Sequence, residues 1–584
     1  MFYDLLEVYR KNSDGDTIAL DNYSLSDGLY IKLYLDNREP EELLVDKNTI
    51  CSDPLYVWFN VRDYYSRLIE MNKPVDPKKK IHSNNMYAIF FKRDTIIFEN
   101  NNKGKELSPH FKESLGRYFD ALAEDNQDNK ALDLFGVSAL DQDILKKNKE
   151  FILSKVGWMA EKITAYNFKK NIYIKLFFDA STEVYRQECM RYQIPRIFNT
   201  NKHNLIINGN VYGLSNMNMN LNAKKPYLEH KTTNYKVPFR IGIYDALDSK
   251  NLLGWLENQK NEEGKSVLAG YLPVNEGEQF ALSDKITDQV SANYLQMKKG
   301  MKTSIDDYDF LPGITNRIKP FELKNFLQLK DFNTDTITKR DTLEKLTDQW
   351  LYNKNLISNY YNDKPKPRTG FSARQVDLLI KSKNAMLNFF RKCDESAIRK
   401  CFDKVSLGLI KQAILINSFP RIELTNIAPA MNLRLSMLRY FKIGGKEDMG
   451  DMIQPLWNTL KKKVVDCKSK DSQVCDNDTE FYYAAGQLTR YLISLSQAQK
   501  INYSVLDPLM NAKDSNKLKA EIINLFKKYN HAVDINSKRL NILLAMVMGY
   551  QQGDPQKVMH DAFIAGLASQ NIIYYTEKKK EDDD

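Results

Sequence analysis

The chain has 584 residues, with 85 Lys or Arg against 75 Asp or Glu and a formal net charge of +10. This length exceeds what one hydrophobic core supports, and we expect about three or four domains. The hydrophobic fraction of 42% is ordinary for a globular protein. The excess of positive charge is small for the size, so it permits a polyanionic partner only where the basic residues cluster.

Neither a metal site nor a membrane segment is predicted. The longest apolar stretch, residues 540–550, is too short to span a bilayer, and residues 1–11 lack the pattern of a signal peptide. We therefore expect a cytoplasmic protein with free thiols. No C-x-x-C occurs among the cysteines, which argues against a zinc site. These are Cys51, Cys189, Cys393, Cys401, Cys467 and Cys475.

The first region, residues 1–165, is predicted to be a mixed α/β domain. Residues 28–35 and 86–98 are rich in the β-branched and aromatic residues that favour strands. Between them, residues 76–85 form a loop whose cations and amides can hold a phosphate backbone. A solvated run of charge is the alternative interpretation. The candidate side chains are Lys78, Lys79, Lys80, Asn84 and Asn85.

A long connection dominates the second region, residues 166–330, which is predicted to contain β-structure. Residues 171–179 form a continuous apolar run typical of a buried strand, and residues 180–192 are predicted to be a helix. A further strand is predicted at 237–244. Connections as long as 195–236 are usually functional or disordered.

Within this connection, residues 213–227 alternate amide and apolar side chains. Period-two alternation predicts an extended segment with one polar face. Asn side chains both donate and accept hydrogen bonds and can read base edges, while lysines bind phosphate. A polar surface hairpin with Asn at its turns is the alternative. The candidate residues are Asn216, Asn218, Asn220, Asn222, Lys224 and Lys225.

The remainder is predicted to be helical, as a basic region over 331–455 and a bundle over 456–584. Apolar residues recur at helical spacing over 481–495 and 518–529. The cations within 371–440 line a groove for a polyanion or simply solvate an outer face. The predicted fold class is α+β, with a mixed α/β N-terminal region, a mostly helical region and an all-α C-terminal bundle.

Catalytic motifs are mostly excluded. The tripeptide at 264–266 (GKS) does not extend to a phosphate-binding loop, because Gln259 stands where that motif needs glycine. His560 and Asp561 match the metal-binding dipeptide of phosphohydrolases, but they lie in a predicted packed helix and need further ligands. We therefore expect no enzyme and no cofactor. A metal-dependent nuclease using these two residues is the alternative.

Four phrases of the sequence carry a resemblance to a known family. They are LFFDASTEVYRQECMRYQIPRIFN (176–199), YGLSNMNMNLNAKKPYLEHKT (212–232), FYYAAGQLTRYLISLS (481–496) and DAFIAGLASQNIIYY (561–575). They resemble the large subunit of the type I-B CRISPR Cascade, a CRISPR-associated family with a fused C-terminal bundle similar to the Cascade small subunit. The resemblance extends from the loop at 76–85 to the end of the chain.

The resemblance implies a non-catalytic subunit of an RNA-guided surveillance complex for antiviral defence. Such subunits recognise a protospacer-adjacent motif on double-stranded DNA, promote strand separation and R-loop formation, and present the target to a helicase-nuclease. The implied partners are the CRISPR guide RNA, the target duplex, its displaced single strand, and the backbone, handle-binding and small Cascade subunits. No membrane is implied.

The resemblance also extends the set of candidate residues. Lys231 joins the candidates for contact with the motif-bearing duplex, although guide RNA or a neighbouring subunit is an open alternative for the same segment. A generic RNA-binding scaffold without motif preference is a further alternative. The bundle is expected to bind single strand through Lys462, Arg490, Lys527, Lys528, Lys538 and Arg539.

Overall fold

The structure is a computed structural model. It describes all residues except 1, 13–16, 37, 101–103, 125–131, 133–134, 167–168, 170, 215–233, 235–239, 262–264, 275–279, 285–287, 300–302, 331, 417, 420–426, 444, 447, 468–472, 498–500, 554–557 and 577–584. The chain forms two compact units. Unit 1 is Met1–Ile286 with Ala292–Phe310, and unit 2 is Thr287–Ser291 with Leu311–Asp584.

Unit 1 combines helices and strands. Its α-helices are α1 (Phe2–Asn12), α2 (Thr17–Asp21), α3 (Pro54–Ser66), α4 (Arg93–Ile96), α5 (Phe111–Glu124), α6 (Gln142–Ser154), α7 (Val156–Ala165), α8 (Thr182–Gln193) and α9 (Ile243–Asn258). Its strands are β1 (Gly28–Leu33), β2 (Glu41–Val45), β3 (Ala88–Lys92), β4 (Ile97–Asn100), β5 (Gly104–Leu107), β6 (Tyr173–Phe178), β7 (Leu205–Ile207), β8 (Asn210–Gly213), β9 (Ile241–Gly242), β10 (Ala269–Pro273), β11 (Ala292–Lys299) and β12 (Thr303–Leu311), which runs to the edge of the unit.

The main sheet of unit 1 has the strand order β2-β1-β6-β3. β1 runs parallel to β6, and β3 runs antiparallel to β6 on its other side. The central strands β1 and β6 are buried along nearly their whole length, because both faces of a central strand are covered. The strand predicted at 171–179 is therefore present, and it is central.

A buried ion pair allows one charge inside that apolar run. Lys175 lies in the middle of β6 with 8% of its side chain exposed, and its Nζ is 2.6 Å from Oδ1 of the fully buried Asp63 on α3. Because the carboxylate compensates the ammonium group, the strand keeps its central position.

The helix after β6 is fixed by a cap and by a buried tyrosine. The Ser181 hydroxyl accepts a hydrogen bond from the Val184 N–H and so begins α8. The Tyr185 hydroxyl donates to the carbonyls of Tyr87 and Phe178 at 2.9 and 2.8 Å. The helix predicted at 180–192 is confirmed, and it is tied to both β6 and the start of β3.

The sheet spans the boundary predicted between residues 165 and 166. β6 follows that boundary, but its partners β1 and β3 precede it. Because a central strand cannot leave its sheet without exposing both neighbours, the chain does not divide at that point.

Unit 2 is mostly helical. Its α-helices are α10 (Arg340–Trp350), α11 (Ala373–Lys392), α12 (Ser396–Ile416), α13 (Ile427–Tyr440), α14 (Met449–Ile453), α15 (Leu456–Leu460), α16 (Asp478–Ser494), α17 (Asp507–Met510), α18 (Ser515–Tyr529), α19 (Lys538–Gly549) and α20 (His560–Ala568). Its strands are β13 (Arg317–Leu323) paired with β14 (Asp335–Lys339), and β15 (Ser418–Phe419) paired with β16 (Ile501–Asn502). The predicted α+β fold class is confirmed.

The core of unit 2 is organised around the packing of α16 on α20. A Cβ atom on Gly486 would lie 2.2 Å from the Phe563 carbonyl oxygen, and one on Gly566 would lie 2.1 Å from the Tyr483 carbonyl oxygen. The two helices approach this closely only because both positions are glycine. The two C-terminal phrases of the family resemblance therefore form one helix–helix contact.

The boundary predicted between 455 and 456 lies inside a single apolar core. That core extends from Phe321 to Ile573, and α13 is buried along most of its length within it. Helices from both predicted segments cover α13, so they fold as one unit.

A glutamine on α16 holds the backbone that follows the last helix of unit 2. That helix, α20, ends at Ala568. The Gln487 carbonyl accepts from Asn571 Nδ2 at 2.9 Å, and its Oε1 accepts from the Ile572 N–H at 2.8 Å. These hydrogen bonds take the place of the backbone hydrogen bonds that a longer helix would make.

Candidate nucleic-acid interface

The Asn/Lys-rich segment, defined here as residues 214–240, lies in the sequence between two neighbouring strands. Gly213 in β8 pairs with Ile241 in β9, so the chain leaves and rejoins the sheet at one place. The candidates Asn216, Asn218, Asn220, Asn222, Lys224, Lys225 and Lys231 lie outside the described residues. What the structure describes is the base of this segment, defined here as the residues that pack around Gly213 and Arg240.

A tight hairpin precedes the segment. β7 and β8 pair through a two-residue turn at Asn208 and Gly209, whose φ angles of 48° and 80° lie in the left-handed region. Asn-Gly is the sequence that such a turn prefers. The three aliphatic residues of β7 point to solvent, with Ile206 65% exposed.

The base of the segment is closely packed. A Cβ atom on Gly213 would lie 2.5 Å from both Phe198 Cγ and Asn204 Oδ1, so this position of the family-like phrase requires glycine. The Leu214 carbonyl accepts from the Asn199 N–H at 2.7 Å. On the other side, Arg240 Nε donates to the His203 carbonyl at 2.9 Å.

The basic loop, defined here as Lys78–Lys80, is built on one buried carboxylate. Asp76 is fully buried and accepts the backbone N–H groups of Lys78 and Lys80 at 3.1 and 2.6 Å. It also accepts from the Ile81 N–H and from Arg117 Nε, at 3.1 and 2.8 Å. Burial alone would raise the pKa of Asp76, but these hydrogen bonds hold it below the ordinary value.

The three lysines of the basic loop lie on the surface. Lys79 has a φ of 55°, which turns the loop outward, and its Nζ donates to Asn72 Oδ1 at 3.3 Å. Lys78 Nζ is 3.7 Å from Glu113 Oε1 in an exposed ion pair. Exposed pairs of this kind are weak and open readily to another anion. The loop therefore presents three cations on a fixed backbone.

The two amides of the same candidate loop are interior groups. Asn84 and Asn85 are 1% and 0% exposed. Asn84 Nδ2 donates to the carbonyls of Tyr65 and Arg67 at 2.9 and 2.8 Å, and Asn85 Nδ2 donates to Ser66 Oγ at 2.9 Å. Their role is to satisfy buried polar groups after α3, so the prediction that they face nucleic acid is corrected.

One turn joins the basic loop to the base of the Asn/Lys-rich segment. Asn72 accepts the hydrogen bond from Lys79. Its neighbour Lys73 donates through Nζ to the carbonyls of Arg196 and Phe198, each at 2.5 Å. Phe198 in turn packs on Gly213. The structure thus brings together two elements that were predicted separately.

The cations predicted for single-strand contact divide into two groups. Lys462, Lys527, Lys528 and Lys538 are exposed. Arg490 donates through Nη1 to the carbonyls of Leu567 and Ser569 at 3.1 and 2.6 Å. Arg539 donates likewise to Ile573 and Tyr575 at 3.1 and 2.6 Å. These two arginines are only partly exposed and anchor the chain after α20. Lys538 Nζ donates to the Cys467 carbonyl at 3.0 Å but stays exposed, so the four lysines remain as surface candidates.

The alternative centre at His560 and Asp561 is a structural one. Asp561 is 3% exposed, and its Oδ1 is 2.7 Å from Nε of the fully buried Arg434. Lys446 Nζ lies 3.5 Å from the other carboxylate oxygen. A carboxylate held by two cations is poorly placed to bind a third. Burial lowers the pKa of His560 to about 4, and the nearby Lys411 charge adds to this effect.

No group of three or more His, Cys, Asp or Glu residues in the described part of the chain is arranged to hold a metal ion. None of the helices in that part combines the length and apolar character that crossing a bilayer requires.

Sequence reasoning missed a cavity in unit 1. It is lined by residues at 64–65, 135, 186–193 and 244–251, which are brought together only by folding. No local motif marks it, because its lining is divided among four separate stretches of the chain.

Comparison with protein-family models, with curated proteins and with solved structures gave no significant match to this chain.

Proposed function

We propose that the chain is a non-catalytic large subunit of a type I-B CRISPR surveillance complex. In this role it binds the protospacer-adjacent motif of target duplex DNA, promotes strand separation and presents the target to a helicase-nuclease. The four phrases of sequence resemblance support the proposal. The observation that carries it is the turn at Asn72 and Lys73, which ties the basic loop to the base of the Asn/Lys-rich segment.

In this proposal the basic loop and the Asn/Lys-rich segment contribute differently to binding, because their side chains differ in chemistry. Lysines hold phosphates and set affinity, while amide groups at base edges set preference. In RNA-guided complexes the guide reads the long target by base pairing, and protein reads the short flanking motif. Accordingly, Asn218 and Asn220 contact base edges in our proposal, and the lysines of the basic loop contact the backbone.

Unit 2 supports a single strand in this proposal. Its exposed lysines Lys462, Lys527, Lys528 and Lys538 attract the phosphate backbone, while Arg490 and Arg539 keep their structural bonds. In the family that the chain resembles, a fragment equivalent to the C-terminal bundle can also arise by internal translation.

Flank discrimination by the assembled complex tests the proposal. Binding is measured for a matched duplex with varied flanking trinucleotides, using the wild type, Asn218→Ala with Asn220→Ala, and the exposed control Asn524→Ala. We expect the double variant to lose about 1–3 kcal/mol on the preferred flank and to discriminate less among flanks. The control should match the wild type.

The same measurement separates the competing functions. A wild-type complex that ignores the flank would favour a generic RNA-binding scaffold. The nuclease alternative requires cleavage of labelled DNA by the purified chain with a divalent metal, abolished by His560→Ala. The engagement of Asp561 with Arg434 argues against that result.

A further inference from the structure

The cavity in unit 1 has the size of a single ring system. Its volume is about 170 Å³. A cavity of about 150 Å³ in another protein holds one benzene molecule. The space is therefore suited to one flat ring and is too small for a whole nucleotide.

Aromatic side chains form much of its wall. Tyr64 and Tyr65, at the end of α3, are each 6% exposed and have ring centroids 5.3 Å apart. Phe135 and Tyr244 form a second pair, with centroids 4.8 Å apart and ring planes inclined by 41°. Tyr244 is 49% exposed and lies at the mouth. An entering ring would meet one exposed aromatic first and then buried ones.

Polar side chains also line the cavity. Gln193 lines the cavity and is 6% exposed, and its Nε2 donates to Cys189 Sγ at 2.8 Å. Asn251 also lines the cavity. Amide groups beside aromatic faces match the polar edge and flat face of a nucleobase.

Two cations and one neutralised acid complete the lining. Lys250 Nζ is 6.0 Å from the centre of the Tyr64 ring, and Arg186, with 49% of its side chain exposed, lies 3.6 Å from Glu183 Oε2 in an exposed ion pair. Asp248 also lines the cavity, but its Oδ2 is 2.6 Å from Arg10 Nε, so its charge is compensated. Exposed ion pairs such as that of Arg186 are weak and open readily to another anion, such as the phosphate of a ligand.

We propose that this cavity receives one unstacked nucleobase of a single strand, with the adjoining phosphate near Lys250 and Arg186. The inference rests on the proposed function and specifies a further ligand site for it. Tyr244 follows β9 by two residues, so the cavity lies beside the point where the Asn/Lys-rich segment rejoins the sheet. An aromatic side chain of a protein partner is the alternative ligand. It would stack on the rings of the cavity but would leave Lys250 and Arg186 without an anion to bind.

The first experiment measures binding of fluorescent single strands of about ten nucleotides to the full chain. We expect Tyr244→Ala to weaken binding about tenfold, because stacking on one aromatic side chain contributes that order of affinity. Tyr244→Phe keeps the ring and should stay within about twofold of the wild type. Phe310→Ala, at a 47% exposed aromatic residue of unit 1, is the matched control and should have no effect.

Abasic strands separate stacking from charge. A strand without bases should bind the wild type and Tyr244→Ala equally, since the ring then has nothing to stack on. Lys250→Ala should weaken binding of both strands and reduce the salt dependence, whereas Tyr244→Ala should leave the salt dependence unchanged. RNA and DNA versions of the strand identify the source of the base: the strand type that loses affinity in Tyr244→Ala is the one that the cavity receives.

Ultraviolet cross-linking locates the base directly. A strand carrying a photoreactive pyrimidine should join to the peptides that contain Tyr244 or Tyr65. Cross-links confined to other peptides, or equal affinity of the wild type and Tyr244→Ala for intact strands, would overturn the inference. If Tyr244→Ala binds normally while the Asn218 and Asn220 variants change flank discrimination, the inference fails and the proposed function stands. If the wild-type complex also ignores the flank, both fail.

Discussion

Arg434 and Asp561 form a buried ion pair that joins α13 to α20 across the core of unit 2. Arg434 is 0% exposed, and its Nε lies 2.7 Å from Asp561 Oδ1. The same guanidinium donates to the Asp403 carboxylate at 2.6 Å and to Ser406 Oγ at 2.5 Å. The network compensates charges contributed by three helices. Its loss should therefore destabilise the whole unit.

Replacing Asp561 by Asn should destabilise the protein. The change leaves Arg434 buried without its main counter-charge, and breaking a buried pair costs about 3–5 kcal/mol. Urea unfolding at neutral pH measures the loss. Asp377→Asn removes an exposed partner of Lys381 on α11 and should cost no more than about 0.5 kcal/mol. Equal losses of unfolding free energy in Asp561→Asn and Asp377→Asn would contradict a stabilising role for the buried ion pair.

The same pair should make the protein sensitive to acid. Burial by itself would raise the pKa of Asp561, but Arg434 and Lys446 hold it below the ordinary value of 3.8. The unfolded chain therefore takes up the proton first, and the stabilisation is present above the ordinary carboxyl pKa and lost as pH falls below it. The difference in unfolding free energy between the wild type and Asp561→Asn should shrink as pH approaches this range.

Lys411 should make the stability rise with pH in the alkaline range as well. Burial lowers its pKa from 10.5 to about 8, an effect opposed by Asp561 and reinforced by Arg434. Between these two values the unfolded chain binds more protons than the native one, so stability should rise with pH. Lys411→Met should remove this rise. The measurement is the free energy of unfolding in urea, determined for the wild type and the variant from pH 7 to 10. An unchanged profile would show that Lys411 is solvated.

Gly486→Ala should strongly destabilise unit 2. The new methyl group would meet the Phe563 carbonyl oxygen at 2.2 Å, and a backbone atom in a packed helix cannot move aside. We expect a loss of at least about 1–3 kcal/mol in thermal or urea unfolding. Gly549→Ala, at the end of α19 with no atom within 4 Å of the added Cβ, should cause no loss.

Asp76→Ala should weaken nucleic-acid binding although it removes a negative charge. Simple electrostatics predicts tighter binding from this change. The structure predicts weaker binding, because Asp76 holds the backbone of the basic loop in place. The loss of its hydrogen bonds should also lower stability by about 1–3 kcal/mol.

Lys80→Ala is the matched control for this loop. It should leave stability unchanged and reduce the slope of log affinity against log salt by about one. Tighter binding of Asp76→Ala than of the wild type would show that the conformation of the loop does not matter.

Local sequence pattern was sufficient for much of the architecture. The central strand β6 and the capped helix α8 were predictable because an apolar run and a helical period are visible within a few residues. The helices α16 and α18 were predictable for the same reason. These patterns reflect which face of each element is buried, and that requires no knowledge of its partner.

The roles of polar residues required the tertiary structure. Asn84 and Arg490 have the side chains expected of a nucleic-acid contact, yet both satisfy backbone carbonyls within their own unit. An amide or a guanidinium group donates equally well to a base, a phosphate or a buried carbonyl, so residue type alone does not choose among them.

By itself the sequence determined the α+β class, the positions of the main elements and the placement of Lys78–Lys80 on a loop. Only the tertiary structure decided that these lysines stand on a buried Asp76, that Asp561 pairs with Arg434, and that Tyr64 and Tyr244 share a cavity. The physical reason is separation along the chain. Burial, charge compensation and cavity walls depend on residues far apart in sequence, whose proximity no local pattern records.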